Sequence, residues 1–295
     1  MSFSVPTHFV QQYTTNVSLL LQQKGSKLRN SVTVGSYTGK AAKAVEQVGP
    51  VTAQKRTTRH GDTPLISTPA DARWVFPTDY EWADLIDDQD KLRMLIDPQS
   101  SYAQNGAYAL GRAIDDEIIT GIFGTNKTGE NGTTNTVFDT SGQRVAVNHG
   151  ATGNVGLTVA KLREAKRILM KNEVDIDNEQ LFVIITAKQH DDLLNEAQTI
   201  SLDYNTRPVL VDGRISAFMG FNFIHCERLP ATTDPYRRAV AYAKSGVHLG
   251  MWNDISTMIS QRDDKGYATQ VYVKGTFGAT RTEEKKVVDI LCNEA

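Results

Sequence analysis

Cysteine is scarce in this sequence. Only Cys226 and Cys292 occur among 295 residues, and they lie far apart in the chain. Disulfide scaffolds need several closely spaced cysteines, and structural zinc sites need about four closely spaced ligands. Two distant cysteines therefore exclude both classes. A chain of this length buries about three quarters of its unfolded surface and does not depend on such supports for its stability. We therefore expect two reduced, buried thiols.

The sequence also lacks an excess of charge of either sign and any long apolar run. Its 32 basic and 34 acidic residues give a net charge of −2, which argues against a dedicated nucleic-acid binder. No window approaches the roughly 18 apolar residues of a membrane span. The short run Leu19–Leu21 lies in an amphipathic pattern rather than in a signal peptide. We expect a soluble protein, made in a cytoplasm, with no membrane partner.

Motifs that carry catalysis are equally scarce. The loop Gly124–Gly129 begins like a phosphate-binding loop, but Glu130 and Asn131 replace the required Lys and Ser or Thr. Residues 175–179 resemble the start of a calcium loop without its glycine, and residues 190–192 are consecutive on a helix and cannot all face one ion. We predict no catalytic, cofactor-binding or metal-binding residues and no enzyme. A cytosolic α/β enzyme with an unrecognised site is kept as an alternative.

The longest helical pattern runs from Asp97 to Gly124. Asp97 and Pro98 are typical of an N-cap and a first helical residue. One stripe of apolar and small residues contains Tyr102, Gly106, Ala109, Leu110, Ala113, Ile114, Glu117 and Ile118. The pattern makes Glu117 the single acid of the stripe and places Asp115 mostly elsewhere. We expect a spine of roughly 35–40 Å, crossed by a sheet, whose small residues let another backbone approach.

Two segments before the spine have little of their own to pack against. An apolar stripe within residues 9–21 predicts a short arm helix that docks on its own chain or, more favourably, on a neighbour. The next segment predicts a hairpin with strands Val45–Thr57 and Pro64–Phe76 and a turn at Arg59–Asp62. Two isolated strands are marginal in water, so we expect this hairpin to project onto another subunit. The alternative is an ordinary excursion on a monomer's surface.

Opposite charges on separate elements predict a contact between copies. The basic group at the hairpin tip is Lys55, Arg56 and Arg59, and the acidic group that follows Trp82 includes Asp87, Asp88 and Asp90. Opposite patches on one chain are what a repeating contact between identical copies uses. We therefore predict a subunit interface in which the basic tip meets one or more of these acids on a neighbour.

The second half of the chain alternates helices and strands. Val155–Met170 predicts a helix, Leu181–Ile185 a strand covered on both faces, and Thr186–Leu194 a further helix. The segment Ile255–Leu291 alternates apolar and polar residues like the strands of an antiparallel sheet.

Three stretches, taken in this order, carry a family resemblance. They are Leu181–Leu194, a strand followed by a helix; Gly213–Pro230, a passage of glycine, apolar residues, glycine, strand and Leu-Pro; and Ala241–Leu249 with Gly275–Arg281 and Lys286–Ile290. With the arm, hairpin and spine they resemble the major capsid protein of tailed bacteriophages, the Hong Kong phage or Johnson fold.

The resemblance implies an α+β capsid fold with five regions. These are an N-terminal arm at residues 1–32, an extended loop at 33–76, a peripheral domain at 77–154 with the spine helix at 97–124, an axial domain at 155–248 and a return to the peripheral domain at 249–295.

The resemblance also implies a structural protein that self-assembles into pentamers and hexamers of an icosahedral shell around phage double-stranded DNA. Such a protein is located in the virion and, during assembly, in the host cytoplasm. Its implied partners are other copies of itself, a portal protein, a decoration protein in some members, and DNA contacted weakly and without specificity. We expect a separate scaffolding protein, because no fused segment precedes the arm. An encapsulin-type shell, which shares the fold and encloses cargo enzymes, is the alternative.

Overall fold

The computed structural model describes residues 22–59, 65–86, 99–196, 210–211, 214–233 and 235–294. The helices are α1 Gln99–Phe123, α2 Val159–Lys171 and α3 Ala187–Leu194, and the strands are β1 Thr33–Ser36, β2 Ala42–Val48, β3 Ala70–Val75, β4 Thr78–Ile86, β5 Asn126–Thr128, β6 Thr134–Thr136, β7 Arg144–Val145, β8 Leu181–Ile185, β9 Leu210–Val211, β10 Arg214–Ile215, β11 Ala217–Phe218, β12 Phe221–His225, β13 Ala231–Thr233, β14 Tyr236–Ala243, β15 Val247–Gln261, β16 Thr269–Arg281 and β17 Val287–Asn293. None of the described helices is long and apolar enough to cross a membrane.

The chain divides into two compact units. The first contains Asp79–Ala113 and Asn253–Thr276 together with the residues before Lys27, and the second contains Lys27–Thr78, Ile114–Trp252 and Phe277–Ala295. In the first unit, β16 has β15 and β4 as neighbours, and Gly106 of α1 packs on side chains of both β4 and β16.

A seven-stranded sheet forms the core of the second unit. Its order is β11-β12-β8-β14-β17-β7, with β13 beside β14. Strand β8 pairs parallel with β12 and antiparallel with β14, and buried residues lie on both of its faces, with only Phe182 half-buried. This confirms the predicted doubly covered strand. The Thr158 side chain caps α2, and a capping box of Thr186 and Gln189 begins α3, so both predicted helices start at polar caps.

Two buried charges, Asp289 and Lys161, bond the strands of this sheet to one another and to the segments that flank it. Asp289 on β17 is fully buried and accepts bonds from Arg144 at 2.7 Å and from Arg238 at 2.9 Å. The Arg238 guanidinium also lies 3.8 Å from the ring centre of Phe123. The Lys161 ammonium on α2 donates to three backbone carbonyls at 2.7–2.8 Å, one of them on β17, and burial lowers its pKa.

Helix α1 confirms the predicted spine, although Asp97 and Pro98 lie outside the described residues. The predicted position of its buried acid was wrong. Asp115 is fully buried and accepts bonds from the backbone N–H groups of Lys27 at 3.0 Å and Leu28 at 3.1 Å, whereas Glu117 is only half-buried. Periodicity gives the direction of a side chain but does not show that backbone donors meet it.

Glycines bring other backbone segments close to α1. A Cβ on Gly111 would lie 2.6 Å from the backbone of Gly25, and one on Gly121 would lie 2.9 Å from the backbone of β16. Such close approaches require glycine. The expected close approach is therefore present, but Gly111 and Gly121 provide it, while Ala109 and Ala113 are half-buried.

We predict that Asp289→Asn destabilises the unassembled protein by about 3–5 kcal/mol, because it removes the one negative charge that two largely buried arginines share. Urea unfolding followed by circular dichroism measures the free energy of unfolding. The matched change Asp177→Asn, at an exposed turn, is expected to alter it by no more than about 0.5 kcal/mol. Equal unfolding free energies for the two variants would contradict the role given to Asp289.

Candidate subunit interface

The hairpin between β2 and β3 ends earlier than predicted. The β2–β3 ladder stops at the pair Val48–Ala70, and one further bond joins Gly49 N to Pro69 O at 2.7 Å. Beyond it the chain forms an outgoing limb, Val51–Arg59, and a returning limb, Leu65–Pro69, both exposed and without strand structure. The predicted strands were too long because prolines at positions 50 and 69 cannot donate to a ladder. The predicted turn lies partly outside the described residues.

The base of this hairpin is bonded firmly to the rest of the second unit. Arg73 on β3 is 7% exposed, and its guanidinium donates two hydrogen bonds to the Glu284 carboxylate at 2.8 and 3.1 Å. The Arg73 guanidinium also donates to Gln47 on β2, whose own amide donates to Thr282 O at 2.7 Å. The two limbs therefore extend from a fixed, hydrogen-bonded base.

All three predicted basic residues lie on the outgoing limb and are exposed. The Arg56 guanidinium donates to the carbonyl of Thr58 at 2.9 Å and to that of Arg59, so it shapes the limb itself. In the part of the chain that is described, Lys55 and Arg59 make no ion pair. The predicted acidic partners Asp87, Asp88 and Asp90 lie outside the described residues, so the predicted interface stays a prediction.

The sequence reasoning missed an apolar component of the limbs. Four large apolar side chains on or beside them stand in solvent, Val48 at 74% exposure, Val51 at 53%, Leu65 at 99% and Ile66 at 43%. The adjacent pair Leu65 and Ile66, in an otherwise polar stretch, was the available signal. Neighbouring exposed apolar residues typically mark a protein–protein contact.

The residues considered for chemistry are engaged elsewhere. The Asp175 carboxylate accepts from two backbone N–H groups and from the amide of Asn178, so its oxygens are bonded within a polar turn. His190 accepts from Ile215 N, while Asp192 pairs with Lys188, so the helical cluster does not converge. No group of three or more metal-ligating side chains occurs among the described residues.

The two cysteines are buried and free, as predicted. Burial raises the pKa of both thiols, that of Cys292 to about 12. Both therefore stay protonated near neutral pH and have the character of core side chains.

A groove of about 660 Å³ lies between β8, α3 and β12, lined by Lys27, His190 and His225 and by apolar residues. The Lys27 ammonium donates to the carbonyl of His225 at 3.1 Å, and His190 binds a backbone N–H. These polar atoms of the groove are thus already hydrogen-bonded within the protein.

We predict that Glu284→Gln loosens the hairpin base. The change leaves the buried Arg73 guanidinium without a charged partner and is expected to cost about 2–3 kcal/mol. Hydrogen exchange should accelerate in β2 and β3. The matched change Glu46→Gln, at an exposed ion pair on the same hairpin, should leave exchange nearly unchanged. Equal protection in the two variants would show that Arg73 and Glu284 do not anchor the hairpin.

Comparison with known proteins gives one family. The family model described as phage capsid protein matches residues 5–294. No curated protein matches the sequence. Among solved structures, the capsid of cyanophage P-SCSP1u superimposes with a TM-score of 0.74 at 14% identity, covering 96% of this chain and 93% of that chain.

Two other capsid structures agree along the whole chain. That of cyanophage Pam1 has a TM-score of 0.72 at 13% identity, and that of Helicobacter pylori bacteriophage KHP30 has a TM-score of 0.71 at 9% identity; each match covers 100% of this chain and 99% of the other. These likenesses confirm the predicted α+β capsid fold. The family match, which spans nearly the whole chain, shows that the chain belongs to the phage capsid protein family.

Proposed function

We propose that copies of this protein assemble into pentamers and hexamers of an icosahedral shell that encloses double-stranded phage DNA. The observation that carries the proposal is the pair of loop limbs, which end their own ladder at Val48–Ala70 and hold apolar side chains in solvent. Full burial of a fully exposed side chain of this kind contributes about 1.5–3 kcal/mol, and Leu65 comes nearest to that case. A contact repeated around a ring therefore has a substantial driving force.

The division into regions and the predicted ionic contact belong to this proposal. In it, residues 33–76 are the extended loop, lying on an adjacent subunit, and Lys55 and Arg59 meet the acidic run 87–90 of that subunit. Arg56 contributes by shaping the limb, because its guanidinium is bonded to carbonyls of the same loop.

The proposed partners follow from the shell function. They are a separate scaffolding protein, a portal protein and, in some phages, a decoration protein, with assembly in the host cytoplasm. The net charge of −2 supports only weak, non-specific contact with the packaged DNA.

Charge reversal in the outgoing limb tests this function. We expect Lys55→Glu with Arg59→Glu to reduce assembly strongly, because like charges would then face each other at every copy of the contact. The matched control is Arg163→Glu with Lys171→Glu, which reverses two exposed charges on α2. Sedimentation velocity and electron microscopy measure the assembled fraction. Normal shells from the limb variant would contradict the ionic contact, and cargo enzymes in place of DNA inside wild-type shells would favour the encapsulin-type alternative.

A further inference from the structure

Among the described residues, one edge of β15 has no paired strand over most of its length. Strand β15 has β16 on one side and β1 on the other, but the parallel ladder with β1 covers only His248–Met251. Within the described ranges, no strand lies beside Asn253–Gln261 on that second side. An open edge presents a row of backbone N–H and C=O groups that another strand can bond.

Two hydrogen bonds fix which residues point to each side of β15. The carbonyl of Met251 accepts from Tyr37 N at 2.9 Å, on the side of β1. The N–H of Arg262, directly after the strand, donates to Ala268 O at 3.0 Å, on the side of β16. Backbone groups of successive residues alternate between the two sides of a strand. The backbone N–H and C=O groups of the odd-numbered residues of β15 therefore point to the open edge.

A third bond agrees with this assignment. The N–H of Ile255 donates to the side chain of its neighbour Asp254 at 2.8 Å, as expected for an N–H on the side away from β16. Farther along the strand, Thr257, Ile259 and Gln261 direct their backbone groups to the same open edge. This part of β15 is where an added strand can form a ladder.

Residues 257–261 of β15 are exposed on both faces. Met258 and Ile259 point to opposite faces and are 56% and 47% exposed, and the residues around them are exposed as well. Folded proteins ordinarily protect an edge strand that carries exposed apolar side chains, because such an edge pairs with other chains. The segment therefore has the properties of a surface that a partner strand covers.

We propose that the outgoing limb of a second copy adds to this edge as a β-strand, an inference that rests on the shell-forming function proposed above. Residues Val51–Thr57 contain valine and threonines, no glycine and no proline, and are exposed without a ladder partner. The returning limb is bracketed by Pro64 and Pro69 and is a poor strand donor. Main-chain bonding to a sheet edge is a common mode of protein recognition.

The direction of β4 shows where the acidic run begins. Side-chain bonds join Asp79 to Thr276 at 2.7 Å and Glu81 to Tyr272 at 2.9 Å, so β4 runs antiparallel to β16. Since β15 and β16 form a hairpin, β4 ends at the same end of the sheet as β15. The chain continues from that end directly into residues 87–90.

Charge then selects a parallel orientation for the added limb. Strand β1 already pairs with β15 in the parallel sense. A limb added in that sense carries Lys55 and Arg59 toward the end of the sheet from which the acidic run starts, whereas an antiparallel limb would carry them away. The proposed strand addition and the proposed ionic contact are therefore compatible in one arrangement.

A proline at the open edge tests the proposal. Thr257→Pro removes an N–H that β16 does not use, so the chain should keep its own ladder while the edge loses a donor and gains a clashing ring. We expect the assembled fraction to fall at least about tenfold relative to Thr257→Ala, with the far-ultraviolet spectrum unchanged. Equal assembly of the two variants would overturn the strand addition and leave the proposed shell function standing. If wild type and Thr257→Ala also fail to assemble with their scaffolding protein, the shell function fails and the inference with it.

Disulfide trapping decides the matter if the proline variant does not fold. A chain with Ala53→Cys is co-assembled with chains carrying Ile255→Cys, Thr257→Cys or Ile259→Cys, whose side chains lie on one face. The natural cysteines are buried and do not compete. A paired strand brings opposite Cα atoms within disulfide distance, so one combination should give disulfide-linked dimers on a non-reducing gel. Absence of dimers from all three combinations, in shells that assemble, overturns the proposal.

Discussion

The central constraint on this structure is an extended loop whose two limbs lack strand partners and cover within the described chain. Beyond Gly49 and Pro69 the two limbs share no ladder, and Leu65 is almost fully exposed. Backbone groups and apolar side chains left in water gain nothing from folding of the single chain. In the proposed shell, another copy would supply both a strand partner for the outgoing limb and cover for the apolar side chains, and assembly would then follow from the fold.

A rigid base fixes the direction in which such a loop extends. Buried charges provide that rigidity. Arg73 and Glu284 fix the hairpin to the rest of the second unit. Asp289 with its two arginines and Lys161 with its three carbonyls fix the sheet of that unit. Removing one member of such a set leaves an uncompensated buried charge, which is more costly than the pair itself is stabilising. The same chain thus combines a strongly specified interior with two exposed limbs.

Much of the fold could be predicted from the sequence, and the errors have physical causes. The spine and the strand Leu181–Ile185 follow from periodicity and from an unbroken apolar run, which are local signals. The buried acid of the spine was misplaced because the N–H donors of Lys27 and Leu28 come from a distant part of the chain. The hairpin was predicted too long because its strand-like composition was given more weight than the prolines at positions 50 and 69, where the ladder ends. Of the candidate interface, the basic residues were visible in the sequence, whereas the open edge of β15 depends on strand order.

Sedimentation velocity on the purified protein over a range of concentrations, with electron microscopy of the fastest-sedimenting species, tests the central claim most directly. Self-assembly driven by the limbs predicts closed shells, or rings with pentameric or hexameric symmetry, whose amount grows with concentration. A protein that stays monomeric at every concentration, and also when co-expressed with the neighbouring genes of its phage, would contradict this account.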